Sequence, residues 1–366
     1  MTFGLIFDGR FGTYLVADTL ETSTQINVEE GERHPAALTT GLPLPMSGQS
    51  SVSYTESALK MCNFGAAAFA FAGDGSAAFK TIAFLNERLV LEPEREGRPL
   101  TLADFPPIFD EALRMGADHP LQAIGLFPRG DGSYNRCEWD VSGGKLKMIL
   151  GREDVAIGSG AGSARRMVEF ARSVTPPGSN PVGECAFFCD RFLMAQVASE
   201  HHHTIAEGIG GVATAIIGNG EELLWAPERT TYIFFTDSDL SGPADLLLIY
   251  KTAFINDACV SLSYIPATDD LDLMVRQNPA SSFDPIRDIP KLSWNSPVVS
   301  TCFFRGEFAS TKIWQRTFIA PSERLWQDSI SVNYDDLGRL RASMSYESHP
   351  DIERILADST NYRFLP

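Results

Sequence analysis

The sequence predicts an α+β fold: a four-layer αββα sandwich, two antiparallel sheets packed face to face with helices on both outer faces, followed by a C-terminal extension. Three observations lead there. Strand-like segments come as hairpins closed by short turns, and the order reads hairpin, strand, helix, hairpin, strand, helix, helix, hairpin. Hydrophobic residues make up 44% of the chain and charged residues 21%, the balance of a protein that buries a core. After about residue 228 the texture changes, so the sandwich is assigned to residues 1–228 and the extension to 229–366.

The first hairpin pairs the apolar run Phe3 to Phe7 with Thr13 to Ala17, across a turn supplied by Asp8-Gly9-Arg10. Residues 24–54 are polar and rich in turn formers, Pro43, Pro45, Gly41 and Gly48 among them, and are expected to be a loop or insertion. Ala66 to Ala72 is a buried strand broken by Gly73-Asp74-Gly75. The helical spacing of Phe79, Ile82, Ala83, Leu89 and Val90 places a helix start near Ser76. Ala123–Phe127 and Arg136–Val141 form a second hairpin around Gly130-Asp131-Gly132. Val155–Ile157 is a short strand, and its Gly-Ser-Gly-Ala-Gly-Ser turn opens a helix carrying Ala164, Met167, Val168 and Ala171. Thr175 to Gly178 is a linker before an amphipathic helix marked by Cys185, Phe188, Cys189, Phe192 and Leu193. Gly211–Ile217 and Glu222–Trp225 close a third hairpin. Beyond it, strand-like pieces at 232–235, 246–250 and 260–264 give way to a stretch punctuated by Pro279, Pro285, Pro290 and Pro297.

The formal net charge is −17, and no segment is dense in Lys or Arg, which argues against nucleic acid and anionic membrane surfaces as partners. The longest apolar run, Gly65 to Gly73, is far shorter than the roughly 20 residues a membrane helix needs. No basic region followed by an apolar one opens the chain, so no secretion signal is expected. Six cysteines over 366 residues form no disulfide framework and suggest reduced thiols in a cytoplasmic protein. His201-His202-His203 point three ways on a helix and cannot jointly face one metal ion. The Gly-Ser-Gly-Ala-Gly-Ser turn lacks the dinucleotide spacing and any following Gly-Lys-Ser/Thr, and no Gly-x-Ser-x-Gly elbow occurs.

Position 2 is a threonine, small enough for the preceding Met1 to be trimmed. Trimming leaves a hydroxyl and a free α-amine on one residue, and such an amine, with a pKa of about 7.7–8.0, can take the hydroxyl proton near neutral pH. On its own Thr2 is an ordinary second residue; the chemistry depends on its partners. Asp18 lies sixteen residues beyond it, and Thr22 follows at Asp-x-x-x-Thr spacing. Lys60 precedes Gly73 by thirteen residues, and Phe71 to Leu89 reads strand, glycine turn, helix.

On these motifs the chain resembles the proteasome β subunits and, more closely, the proteolytic subunit of the bacterial two-component ATP-dependent protease, both N-terminal-nucleophile hydrolases. The resemblance covers residues 2–225. It implies that Thr2 is the nucleophile, that Asp18 holds a catalytic Lys60 by a charge-assisted hydrogen bond, that the Gly73 N–H forms the oxyanion hole, and that Ser159 stands beside the nucleophile. It also implies a peptide or small-amide substrate, self-association into a homo-oligomer, and no cofactor or metal.

The chain departs from the family pattern in two places. The span from Asp18 to Lys60 requires an insertion, and uninterrupted spacing would put His34 where the lysine belongs. Where the family carries an Asp and a Ser before a Gly-Gly, Glu207 to Gly211 reads Glu-Gly-Ile-Gly-Gly and offers only Glu207 as a substitute. The alternative expectation is therefore a proteasome-fold protein without catalysis, used for binding or assembly.

Overall fold

The first hairpin, two nearly continuous buried runs, sets the frame. β1 (Phe3–Asp8) and β2 (Thr13–Asp18) are buried on both faces, with Leu5 and Phe7 pointing one way and Ile6 the other. In this computed structural model the described residues are 3–19, 21–23, 53–55, 59–101, 103–115, 120–140, 144–149, 153–162, 165, 168–169, 172, 180–197, 211–220, 222–237, 245–305, 312–319, 326–335 and 340–348.

The fold is mixed α and β. β3 (Glu21–Ser23) pairs with β4 (Ser53–Thr55), so a short antiparallel ladder ties together the two ends of the segment expected to be an insertion. Residues 24–52 themselves lie outside the described residues. β5 (Met61–Asn63), β6 (Ala68–Gly73), β7 (Leu121–Pro128), β8 (Tyr134–Asp140) and β9 (Lys145–Ile149) form one antiparallel sheet in sequential order. β10 (Val155–Gly158), β11 (Ala213–Gly218) and β12 (Leu223–Trp225) join the first hairpin in another, ordered β10-β1-β2-β11-β12.

Ile6, Leu15, Ala17, Ile157 and Ile216 of one sheet share a single buried cluster with Met61, Ala68, Ala70, Ile124 and Leu126 of the other. The opposite face of the β5–β9 sheet packs on α1 (Gly75–Asn86) and, through Phe105, Ile108 and Phe109, on α3 (Phe105–Met115). α2 (Glu92–Glu96) continues α1 through a π-helical turn at Glu87–Leu91. The opposite face of the first sheet packs on Cys185, Phe188, Cys189 and Phe192 of α4 (Pro181–Val197). The sequence places the helix start of α1 one residue late: Asp74 caps it, its carboxylate accepting from the Ala77 N–H at 2.7 Å.

The described residues of the extension, which the sequence leaves unassigned, are mostly sheet. β13 (Arg229–Asp237), β14 (Asp245–Ile255), β15 (Ala258–Ile265), β16 (Asp270–Gln277), β17 (Val298–Arg305) and β18 (Lys312–Ile319) form six strands ordered β16-β15-β14-β13-β17-β18. The β13–β17 pair is parallel, and a parallel pair needs a long crossover. Pro279, Pro285 and Pro290, together with the short α5 (Pro285–Asp288), fall within that crossover and so interrupt no strand. One face of this sheet packs on the hairpin β19 (Trp326–Tyr334) and β20 (Leu340–Ser348) through Val332, Ile330 and Met344.

Candidate active site

β2 ends at Asp18, whose side chain is fully buried. Its Oδ1 accepts from Lys60 Nζ at 2.8 Å, closing an ion pair between residues 42 positions apart in which the lysine side chain is only 10% exposed. The same oxygen accepts from the backbone N–H of Phe3 at 3.3 Å, the amide that joins Phe3 to position 2. Lys60 stands just before β5, and its carbonyl accepts from the Phe71 N–H of β6 at 2.9 Å. A carboxylate this buried requires a cation and hydrogen-bond donors in place of water, which Lys60 and the Phe3 N–H supply.

Two further expected residues sit at the same end of the sheets. Phe3 pairs with Gly158, the last residue of β10, and Ser159 follows, exposed. Gly73 ends β6 opposite Leu121, with φ at +121°. A Cβ there would stand 2.1 Å from the Pro120 carbonyl oxygen, so the position admits only glycine. Gln122 links the two sheets: it follows Leu121 in β7, and its Oε1 accepts from the Gly158 N–H at 3.1 Å. A continuous path therefore runs from Lys60 through Asp18, Phe3, Gly158, Gln122 and its neighbour Leu121 to Gly73, with Ser159 following Gly158. Asp18, Lys60, Gly73 and Ser159, spread over more than 140 residues of sequence, are brought to one end of the paired sheets.

Met1, Thr2, His34, Glu207 and the three histidines 201–203 lie outside the described residues. Beside Asp18, the Thr19 Oγ1 accepts from the Val212 N–H at 3.0 Å, and Gly211 before it takes φ +76°. Gly211, the last residue of Glu-Gly-Ile-Gly-Gly, thus leads through Val212 into the strand that flanks β2.

The opposite end of the first sheet is a different polar cluster with a structural task. Glu184 of α4 accepts from the N–H groups of Arg10 and Phe11 at 2.8 and 3.1 Å and from the Tyr14 hydroxyl at 2.6 Å, clamping the first turn. Asp8 pairs with the buried Arg136 and accepts from Thr13 Oγ1 at 2.7 Å. The described cysteines 62, 137, 185, 189 and 259 are buried and free. Burial pushes the Cys137 thiol up to about 12 and holds the Cys62 thiol well above its usual value, so these are poor nucleophiles. A cavity of about 210 Å³ lies between the α1–α2 segment and α3, lined by Arg88, Glu92, Arg98 and Asp104, away from the Lys60–Asp18 pair. Among the described residues no three His, Cys, Asp or Glu side chains come together as metal ligands, and no helix is long and apolar enough to cross a membrane.

The sequence offers no signal for Gln122 or Glu184, each a lone polar residue whose partner is more than thirty positions away. No protein-family model matches the chain, and no curated protein matches it. Chemically, the site holds an ammonium in a low-dielectric setting next to the peptide that follows position 2. That charge can depress the pKa of a neighbouring amine.

Proposed function

We propose that the chain is a proteasome-type N-terminal-threonine hydrolase that cleaves amide bonds, built on an αββα sandwich of the N-terminal-nucleophile kind. The observation that carries this is the buried pair of Asp18 and Lys60, with Asp18 also receiving the amide that follows Thr2. Supporting it are the shared core between two five-stranded sheets and the helices against their other faces.

In this mechanism, removal of the residue before Thr2 frees its amine. The amine takes the hydroxyl proton as the Thr2 oxygen attacks the substrate carbonyl carbon. The Lys60 ammonium, fixed by Asp18, disfavours a second positive charge and keeps the amine basic but unprotonated. The Gly73 N–H stabilises the oxyanion, and Ser159 orients the amine. Collapse expels the leaving amine with the proton, and water then hydrolyses the acyl ester. This chemistry needs neither a cofactor nor a metal. A peptide or small amide is the substrate, self-association is expected, and free buried thiols fit a reducing, cytoplasmic setting.

Intact-mass spectrometry after treatment with a threonine-directed peptidyl electrophile tests the proposal. Loss of Met1 and one adduct mapped to Thr2, absent from Thr2→Ala, is the expected result. A retained Met1 blocks the amine and leaves the non-catalytic binding role in its place.

A further inference from the structure

β5 is three residues long and forms the edge of its sheet, where β6 is its one partner among the described strands. The Phe71 N–H donates to the Lys60 carbonyl, so by antiparallel alternation the next carbonyl, that of Met61, faces away from β6. A buried edge carbonyl must find a donor elsewhere. It finds one in the extension: Asn278 Nδ2 donates to Met61 O at 2.8 Å, across 217 residues, with Asn278 itself 4% exposed. The Asn278 amide is aimed by its own turn. Its Oδ1 accepts from the Ala280 N–H at 2.9 Å and its carbonyl from the Ser281 N–H at 3.0 Å.

Neighbouring contacts join β5 to β12, and β12 in turn to the C-terminal sheet. Asn63 Nδ2 donates to the Leu223 carbonyl of β12 at 2.6 Å. Trp225 of β12 stacks on Phe254 of β14 at 4.7 Å, with its Nε1 donating to Asp257 at 2.7 Å. A strand of three residues with one paired side frays readily unless its outer side is also held. Lys60 is the residue directly before it.

We propose that Asn278 is a positioning residue for Lys60: the C-terminal sheet holds the edge strand from which the lysine reaches Asp18, so the extension completes the site. The catalytic consequence rests on the hydrolase proposal above, whereas the effect on Lys60 itself does not.

The test uses the full chain with Asn278→Ala and Asn278→Asp. The aspartate variant keeps an acceptor for the Ala280 N–H, and so its turn, but places an oxygen against the Met61 carbonyl. Acetylation by an N-hydroxysuccinimide acetate is followed at Lys60 by peptide mass spectrometry, with the exposed Lys147 as internal reference. Both variants should acetylate at Lys60 roughly tenfold faster, because opening of the edge strand becomes easier, with Lys147 unchanged. An unchanged Lys60 rate in a folded Asn278→Asp variant overturns the proposal.

The second readout is the pH profile of Thr2 labelling. Displacing the ammonium lets the amine pKa rise, so the acidic limb should move up by about one pH unit. A merely structural role lowers the thermal midpoint without moving that limb; an unmoved limb with a faster Lys60 overturns the catalytic consequence. If the unsubstituted protein takes no label at Thr2, the hydrolase proposal fails while the acetylation arm still decides the role of Asn278.

Discussion

Asp18 has no contact with solvent, and a carboxylate so placed is tolerated only while its cation and donors stay in place. Lys60→Ala removes the cation and should cost about 3–5 kcal/mol, read as a lowered urea midpoint. Adding Asp18→Asn to that variant removes the stranded charge and should recover part of the loss; a double variant no more stable than Lys60→Ala contradicts the pair's weight. Gly73→Ala should be destabilised by about 2 kcal/mol and lose Thr2 labelling, because both the φ of +121° and the Pro120 carbonyl exclude a Cβ. A normal midpoint from calorimetry would show that the turn can relax. The Asp18–Lys60 partnership is legible in the sequence only through the resemblance to the N-terminal-nucleophile hydrolases, since uninterrupted spacing would put His34 in the place of Lys60. Asn278 and Gln122 are not, since an isolated amide side chain carries no periodicity and its partner exists only in the folded chain.

Among the elements, the first hairpin is set by two apolar runs and the turn residues between them, and the sequence places it within a residue of its observed ends. What holds its turn against α4 is Glu184, 174 positions from Arg10. Glu184→Ala leaves the Arg10 and Phe11 N–H groups short of an acceptor and the Tyr14 hydroxyl with only the Pro181 carbonyl, at 3.2 Å, and should cost about 3 kcal/mol in denaturant unfolding. Loss within experimental error would mean water replaces the carboxylate. α3 is hidden in the sequence because Pro106 and Pro107 look like breakers, although proline is tolerated in a first helical turn, where the N–H has no intrahelical partner. β9 and β16 are hidden for another reason: Lys145, Lys147, Asp270 and Asp272 interrupt them, so neither reads as an apolar run.

For the whole molecule, the C-terminal sheet covers the Met61 carbonyl at the β5 edge and the Trp225 ring of β12. Burial raises the Asp257 carboxyl above its usual value, partly opposed by the hydrogen bond from Trp225. The native state therefore retains a proton that the unfolded chain releases, and stability falls as pH rises from the ordinary carboxylate range through the raised value. Asp257→Asn keeps an acceptor for the indole and should raise the thermal midpoint at pH 7 while flattening its decline across that window. A midpoint that falls equally with pH in both proteins would place the titration elsewhere. This junction has no signature in the sequence, because residues 61, 225, 257 and 278 meet only through the packing of three separate sheets.

The most direct measurement is the mass of the intact, purified chain before and after exposure to a peptide epoxyketone, which bonds to a hydroxyl and an adjacent free amine together. A mass lacking Met1 that gains one adduct at Thr2, and gains none in Thr2→Ala, is the predicted result. A chain that keeps Met1, or loses it and stays unmodified, contradicts an active threonine nucleophile at this site.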